Sequence, residues 1–178
     1  EGGGGCASAN SSTSVVATTI RVQDQAIDFP PLADQWATNV VVLAATASSG
    51  LPVEFAVMDG PASIAGQTLT FTGAGPVAVA ASQAGDSHWR PAPNQTNTFF
   101  VEKARAGVAL GSLSRIHDGA PKEATVATDP EGLAVNVTYD GAANAPSATG
   151  SYEVVAAVAE ALYAGGATGI LIIAEATL

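Results

Sequence analysis

The chain has 178 residues, enough for one or two domains that each bury a core. Only 12% of them are charged, and 16 acidic against 6 basic residues give a formal net charge of −10. That balance could not neutralise a row of phosphates, which disfavours nucleic acid and anionic lipid surfaces as partners.

Residues 1–14 are rich in Gly, Ala, Ser and Asn and read as a tail with no core-forming pattern. Cys6, the single cysteine, lies in this tail, so there is no internal disulfide and no thiolate metal cage. Its thiol is a candidate for a disulfide to another subunit. Glu1-Gly2-Gly3-Gly4-Gly5 before it, with no Leu-rich leader, speak against a lipid there. The missing initiating Met and signal peptide lead to the expectation of a processed or excised product. Ser14-Val15-Val16-Ala17-Thr18-Thr19-Ile20-Arg21-Val22 is largely β-branched and predicts a strand, with a turn-like Gln23-Asp24-Gln25 behind it. Residues 1–25 are therefore a tail plus an extra strand that the next domain does not obviously need.

A first domain over residues 26–104 starts at Ala26-Ile27-Asp28-Phe29, and Pro30-Pro31 end that short edge strand. Residues 40–47 are near-continuously apolar, as in a central strand. The Ser48-Ser49-Gly50 turn leads into Val53, Phe55 and Val57 on alternate positions. Leu69 with Phe71, Val77 with Val79, and Phe99 with Val101 supply further inward pairs. A second domain over residues 105–178 follows the short junction Lys103-Ala104-Arg105-Ala106-Gly107. It reads as strands around residues 108–113, 123–128, 135–139, 152–156 and 170–174, with turns at Asp129-Pro130-Glu131-Gly132 and Asp140-Gly141. The Ala/Glu content of residues 152–163 favours helix, but their place in the pattern predicts strand. Val126, Val135, Val137, Tyr152, Val154 and Ile172 are its expected core.

The two domains repeat one set of landmarks. Gly50-Leu51-Pro52-Val53-Glu54-Phe55 is matched by Gly132-Leu133-Ala134-Val135-Asn136-Val137, and Gly73 to Ala81 by Ala148 to Ala157. Phe99-Phe100-Val101-Glu102-Lys103-Ala104 is matched by Leu171-Ile172-Ile173-Ala174-Glu175-Ala176. A repeat this long suits tandem sandwiches rather than a solenoid.

The second half resembles the MBG-type and related Ig-like repeats of large bacterial surface proteins. The residues that carry this are Leu113 through His117-Asp118-Gly119-Ala120-Pro121-Lys122, Gly132 to Gly141, and Ala145-Pro146-Ser147-Ala148-Thr149-Gly150-Ser151-Tyr152. The first half looks like a companion repeat through Ala44 to Val53 and Ala80 to Gly85. His117 and Trp89 each stand where the family usually has Tyr. The resemblance implies a spacer or adhesive role outside the cell, and no shared catalytic residues.

Motifs for chemistry are thin. His88 and His117 fall in different halves, and neither lies near a Gly-x-Ser-x-Gly nucleophile. Asp129 and Glu131 flank Pro130 in a turn, and no dense Asp/Asn cluster suggests calcium. Gly165-Gly166 has no following Lys and Ser/Thr pair, so it is no phosphate cradle. Trp36 and Trp89 are the residues best suited to an aromatic ligand platform.

The sequence thus predicts an all-β protein of two tandem Ig-like β-sandwich domains with an N-terminal extended segment. It is expected to be a non-catalytic structural subunit or segment of an extracellular or cell-surface fibre, filament or stalk, with no cofactor or metal. Its expected partners are copies of itself or neighbouring Ig-like repeats. Val15, Val16, Thr18, Ile20 and Val22 form the candidate inter-subunit strand, and Cys6 the candidate inter-subunit disulfide. The alternative is an adhesin module binding carbohydrate or a surface through Trp36 or Trp89. No apolar run reaches membrane-spanning length; the longest covers residues 170–174.

Overall fold

Alternating apolar and polar positions between closely spaced Gly, Pro and Asp turns leave the chain little choice but short strands. The computed structural model describes residues 21–176, and every regular element among them is a strand. They run β1 (Ile27–Asp28), β2 (Gln35–Trp36), β3 (Val40–Val42), β4 (Thr46–Ala47), β5 (Glu54–Asp59), β6 (Ala62–Ala65), β7 (Thr68–Phe71), β8 (Gly75–Ser82) and β9 (Gln95–Glu102) in the first half. The short β10 (Ala104–Arg105) leads to β11 (Gly107–Gly111), β12 (Ser114–Ile116), β13 (Thr125–Asp129), β14 (Val135–Tyr139), β15 (Gly150–Val158), β16 (Tyr163–Ala164) and β17 (Gly166–Ala174).

In the first half one layer has the order β2-β9-β8-β5 and the other β3-β7-β6. The second layer is extended by β4, which continues the run of β3 and pairs with β1. The opening segment is shared between layers, antiparallel to β4 through β1 and parallel to β9 through β2. This is the order of an Ig-like β-sandwich. Leu43, Leu69, Phe71, Val77, Val79, Phe99 and Val101 fill the space between the layers. The rings of Phe71 and Phe99 meet edge to face with centroids 6.1 Å apart.

The second half keeps the layer β12-β17-β15-β14 but sets only β11-β13 against it. Its core is Tyr139, Val154, Leu171 and Ile173, and the Tyr139 hydroxyl accepts the Ala124 N–H at 2.9 Å. The landmarks read as repeats superpose in register. Phe55 pairs with Ala81 and Val137 with Ala156, while Gly75 pairs with Val101 and Gly150 with Ile173. Val79 and Val154, at matching places on β8 and β15, are both fully buried.

Three expectations change. Ile172 is half exposed, because the alternation of β17 turns Leu171 and Ile173 inward and Ile170 and Ile172 outward. The apolar run 40–47 is two short strands rather than one, since each end pairs with a different neighbour. The second copy is also not a full copy. The first half spends residues 60–74 on the hairpin β6-β7, whereas residues 140–149 join β14 to β15 directly and are too few for two more strands.

Candidate functional site

The chain enters the first sandwich at the pole that carries the β4-β5 and β8-β9 loops. The Gln23 N–H donates to the His88 carbonyl at 2.7 Å and its carbonyl accepts the Arg90 N–H at 2.8 Å, so Gln23 lies alongside Trp89 as a parallel bridge. Asp24 pairs with Arg90 at 3.1 Å on the surface. Gln25 is 6% exposed, and its amide is fully used. Its Nε2 donates to Gln83 Oε1 at 2.6 Å and to the Arg90 carbonyl at 2.7 Å, and its Oε1 accepts the Ser49 hydroxyl. A buried amide with every partner in place fixes the geometry of the loop cluster around it. The segment read as a turn is thus a built-in part of the domain.

The second sandwich receives the chain by the same device. Ala104 donates to the Leu162 carbonyl at 2.9 Å, Ala106 to the Ala164 carbonyl at 2.9 Å, and β10 lies parallel to β16. Leu162 stands where His88 stands in the first sandwich, and Tyr163 where Trp89 stands. Here both sides of the joint are visible. Leu162 packs against the core of the first sandwich, and Lys103 Nζ donates to the Glu160 carbonyl at 2.7 Å. Glu160 Oε1 in turn accepts the Ala134 N–H at 3.0 Å. Gly165 passes so close to the Ala106 carbonyl that a Cβ there would collide with it.

Of the residues singled out from sequence, Cys6, Val15, Val16, Thr18 and Ile20 lie outside the described residues. Val22 is described and exposed, next to the bridge at Gln23. Trp36 is 43% exposed on the outer face of the four-stranded layer, one strand from Phe100, which is 48% exposed on the same face. Ile116 and Ile172 occupy the matching places in the second sandwich and are also exposed. Trp89 is half-buried at the opposite pole, about 25 Å from Trp36 along the length of β9. The two tryptophans do not form one platform.

His88 has its Nδ1 3.0 Å from the hydroxyl of its neighbour Ser87. The nearby acid does not orient the ring: Asp86 Oδ1 accepts the main-chain N–H groups of His88 at 2.7 Å and Trp89 at 2.9 Å. A catalytic triad needs the carboxylate on the other ring nitrogen, so this is a turn closed by its aspartate. Those N–H groups, His88 first, hold the Asp86 carboxyl below the usual carboxylate range. The hydrogen bond from Lys122 does the same for Asp118. Among the described residues no three His, Cys, Asp or Glu side chains gather where they could hold a metal ion. No helix among them is long and apolar enough to cross a membrane.

Sequence reading placed a junction at residues 103–107 but missed the contacts that hold it, and it missed the joint at Gln23. Leu162 and Gln25 carried no motif. The only available signal was that Val22-Gln23 and Lys103-Ala104 both follow a β-branched or aromatic strand and precede a new domain pattern.

No curated protein matches the chain in sequence. Among solved structures, Drosophila N-cadherin EC1-4 aligns over 88% of the chain at 7% identity with a TM-score of 0.38, and the chain spans 50% of that structure. Human protocadherin-24 EC1-2 aligns over 86% of the chain and 99% of its own length at 13% identity and a TM-score of 0.36. The titin domains Z1Z2 in complex with telethonin align over 88% of the chain and their full length at 17% identity and a TM-score of 0.29. The resemblance carried by residues 113–152 is shown by the family comparison: residues 106–177 match the MBG domain.

Proposed function

We propose that the chain is a non-catalytic structural segment of an extracellular or cell-surface assembly, built from units at residues 26–104 and 105–178, and that it polymerises head to tail through its N-terminal strand. The observation that carries this reading is the joint at Leu162. A side chain of one sandwich seated against the core of the other, backed by Lys103 and two main-chain hydrogen bonds, resists bending, which suits a part that transmits force or holds distance. The entry pole of the first sandwich repeats that joint from Gln23 onward, which supports continuation of the same stack in the N-terminal direction. The MBG match over residues 106–177 supports a surface location. Copies of the chain, or further Ig-like repeats, are the partners. Sedimentation velocity over a concentration series tests it. The full chain should show growing species as concentration rises, and a chain starting at residue 23 should stay monomeric; a full chain that stays monomeric throughout refutes polymerisation.

A second reading rests on Trp36 and Phe100, exposed side by side on a flat sheet face. Such a pair could stack on a sugar ring, making the chain a carbohydrate-directed adhesin module. Glycan-array binding that Trp36→Ala abolishes and Trp89→Ala leaves intact would favour it.

A further inference from the structure

We propose that the unpaired edge of β13 in the second sandwich is the acceptor for residues 15–22 of a second copy of the chain. The proposal rests on the head-to-tail reading above and names the surface that reading needs.

The two sandwiches differ at one edge. In the first, β3 is flanked by β7 with Val41 opposite Leu69, and β6 completes the layer. In the second, β13 pairs with β11 alone, and no strand among the described residues lies on its other side. Beside β13 lies a groove of about 350 Å³, lined by Val126, Thr128, Leu133 and Val135. All four are half-buried. The packing differs in the same sense: the main cluster of buried side chains has four residues in the second sandwich against eight in the first. A free row of main-chain N–H and C=O groups beside half-covered apolar side chains is a template for one more strand.

The sequence of residues 15–22 has the pattern of a strand: Val16, Thr18, Ile20 and Val22 occupy one set of alternate positions, and Val15, Ala17, Thr19 and Arg21 the other. That is the pattern of β7, where Leu69 and Phe71 enter the core and Thr68 and Thr70 alternate with them. A strand formed by residues 15–22 would start from an anchor remote from its own β13. Gln23 is held by His88 and Arg90 at the pole of the first sandwich far from the second, and Val22 is bonded to Gln23. The donor therefore comes from another copy. Because donor and acceptor surfaces differ, the contact is heterologous, and it continues as a filament where its rotation does not close a ring.

Disulfide trapping tests this in the full chain on a Cys6→Ser background. Chains carrying Ala17→Cys or Thr19→Cys are mixed with chains carrying Ala127→Cys on the outward side of β13. Controls carry Asn136→Cys on β14, across the same groove, or Ser63→Cys on β6, the edge of the first sandwich. Covalent dimers should form with Ala127→Cys, at least tenfold above either control. Dimers with Asn136→Cys or Ser63→Cys instead, or none while the unmodified chain still polymerises, overturn the acceptor assignment and leave polymerisation standing. An unmodified chain that never leaves the monomer overturns both.

Discussion

The carbonyl of Leu162 accepts the Ala104 N–H at 2.9 Å, just as the carbonyl of His88 accepts the Gln23 N–H at 2.7 Å. Each sandwich thus takes the incoming chain on the loop between its last two long strands. At Ala104 the loop also reaches across, because Leu162 packs on the neighbouring core. Stability of the first sandwich therefore depends on a residue of the second.

That dependence is measurable with Trp36 and Trp89, since both tryptophans lie in the first sandwich and their fluorescence reports on it alone. Leu162→Ala should lower the stability of the fluorescence transition in urea by about 1–2 kcal/mol, less than the roughly 2–5 kcal/mol of a fully buried leucine. An unchanged midpoint would mean that the contact is decorative.

Gly165 tests the joint from the other side. A methyl group there meets the Ala106 carbonyl, so Gly165→Ala must push the linker off β16. The expected outcome is faster amide exchange at Ala104 and Ala106, with each sandwich otherwise intact. Exchange rates that do not move would show that the strands tolerate the shift.

Gln25→Leu should cost about 1–3 kcal/mol, because the Gln83 and Ser49 side chains lose their buried partner. Thermal unfolding measures it. A neutral result would mean that water replaces the amide without loss.

The loop at Asp86 has a defined acid response. Its carboxyl is held low by the N–H groups of His88 and Trp89. A pKa depressed on folding contributes stability above the unfolded value and loses it as pH falls through the lower folded value. The loop should therefore be intact at neutral pH and loosen below about pH 3.9, the ordinary aspartate value. With Trp36→Phe to isolate Trp89, fluorescence should show that transition, and Asp86→Ala should abolish it. A midpoint near neutrality would point to another group.

Much of the fold is legible in the sequence because strand alternation and turn residues are local. Gly50 and Gly132, both with positive φ, mark the same turn before β5 and β14, and the alternation through Val77 and Val79 names the core directly. Ile172 was misplaced because Ile170 to Ile173 is apolar at every position, so period alone cannot say which pair faces in. The loss of the β6-β7 hairpin is written only as a shorter spacing between landmarks. The site was less legible. Leu162 and Gln25 act through partners about sixty residues away, and an unpaired edge is defined by the lack of a neighbouring strand among the described residues.

Electron microscopy of the full chain at high concentration, beside a chain lacking residues 1–22, bears most directly on the central claim. Two stacked sandwiches, with long strands of eight and nine residues, set a subunit length of roughly 60 Å or more. The account predicts filaments of one-subunit width with that axial repeat from the full chain, and single two-lobed particles from the shortened one. Single particles from both chains, or the same filaments from both, would contradict it.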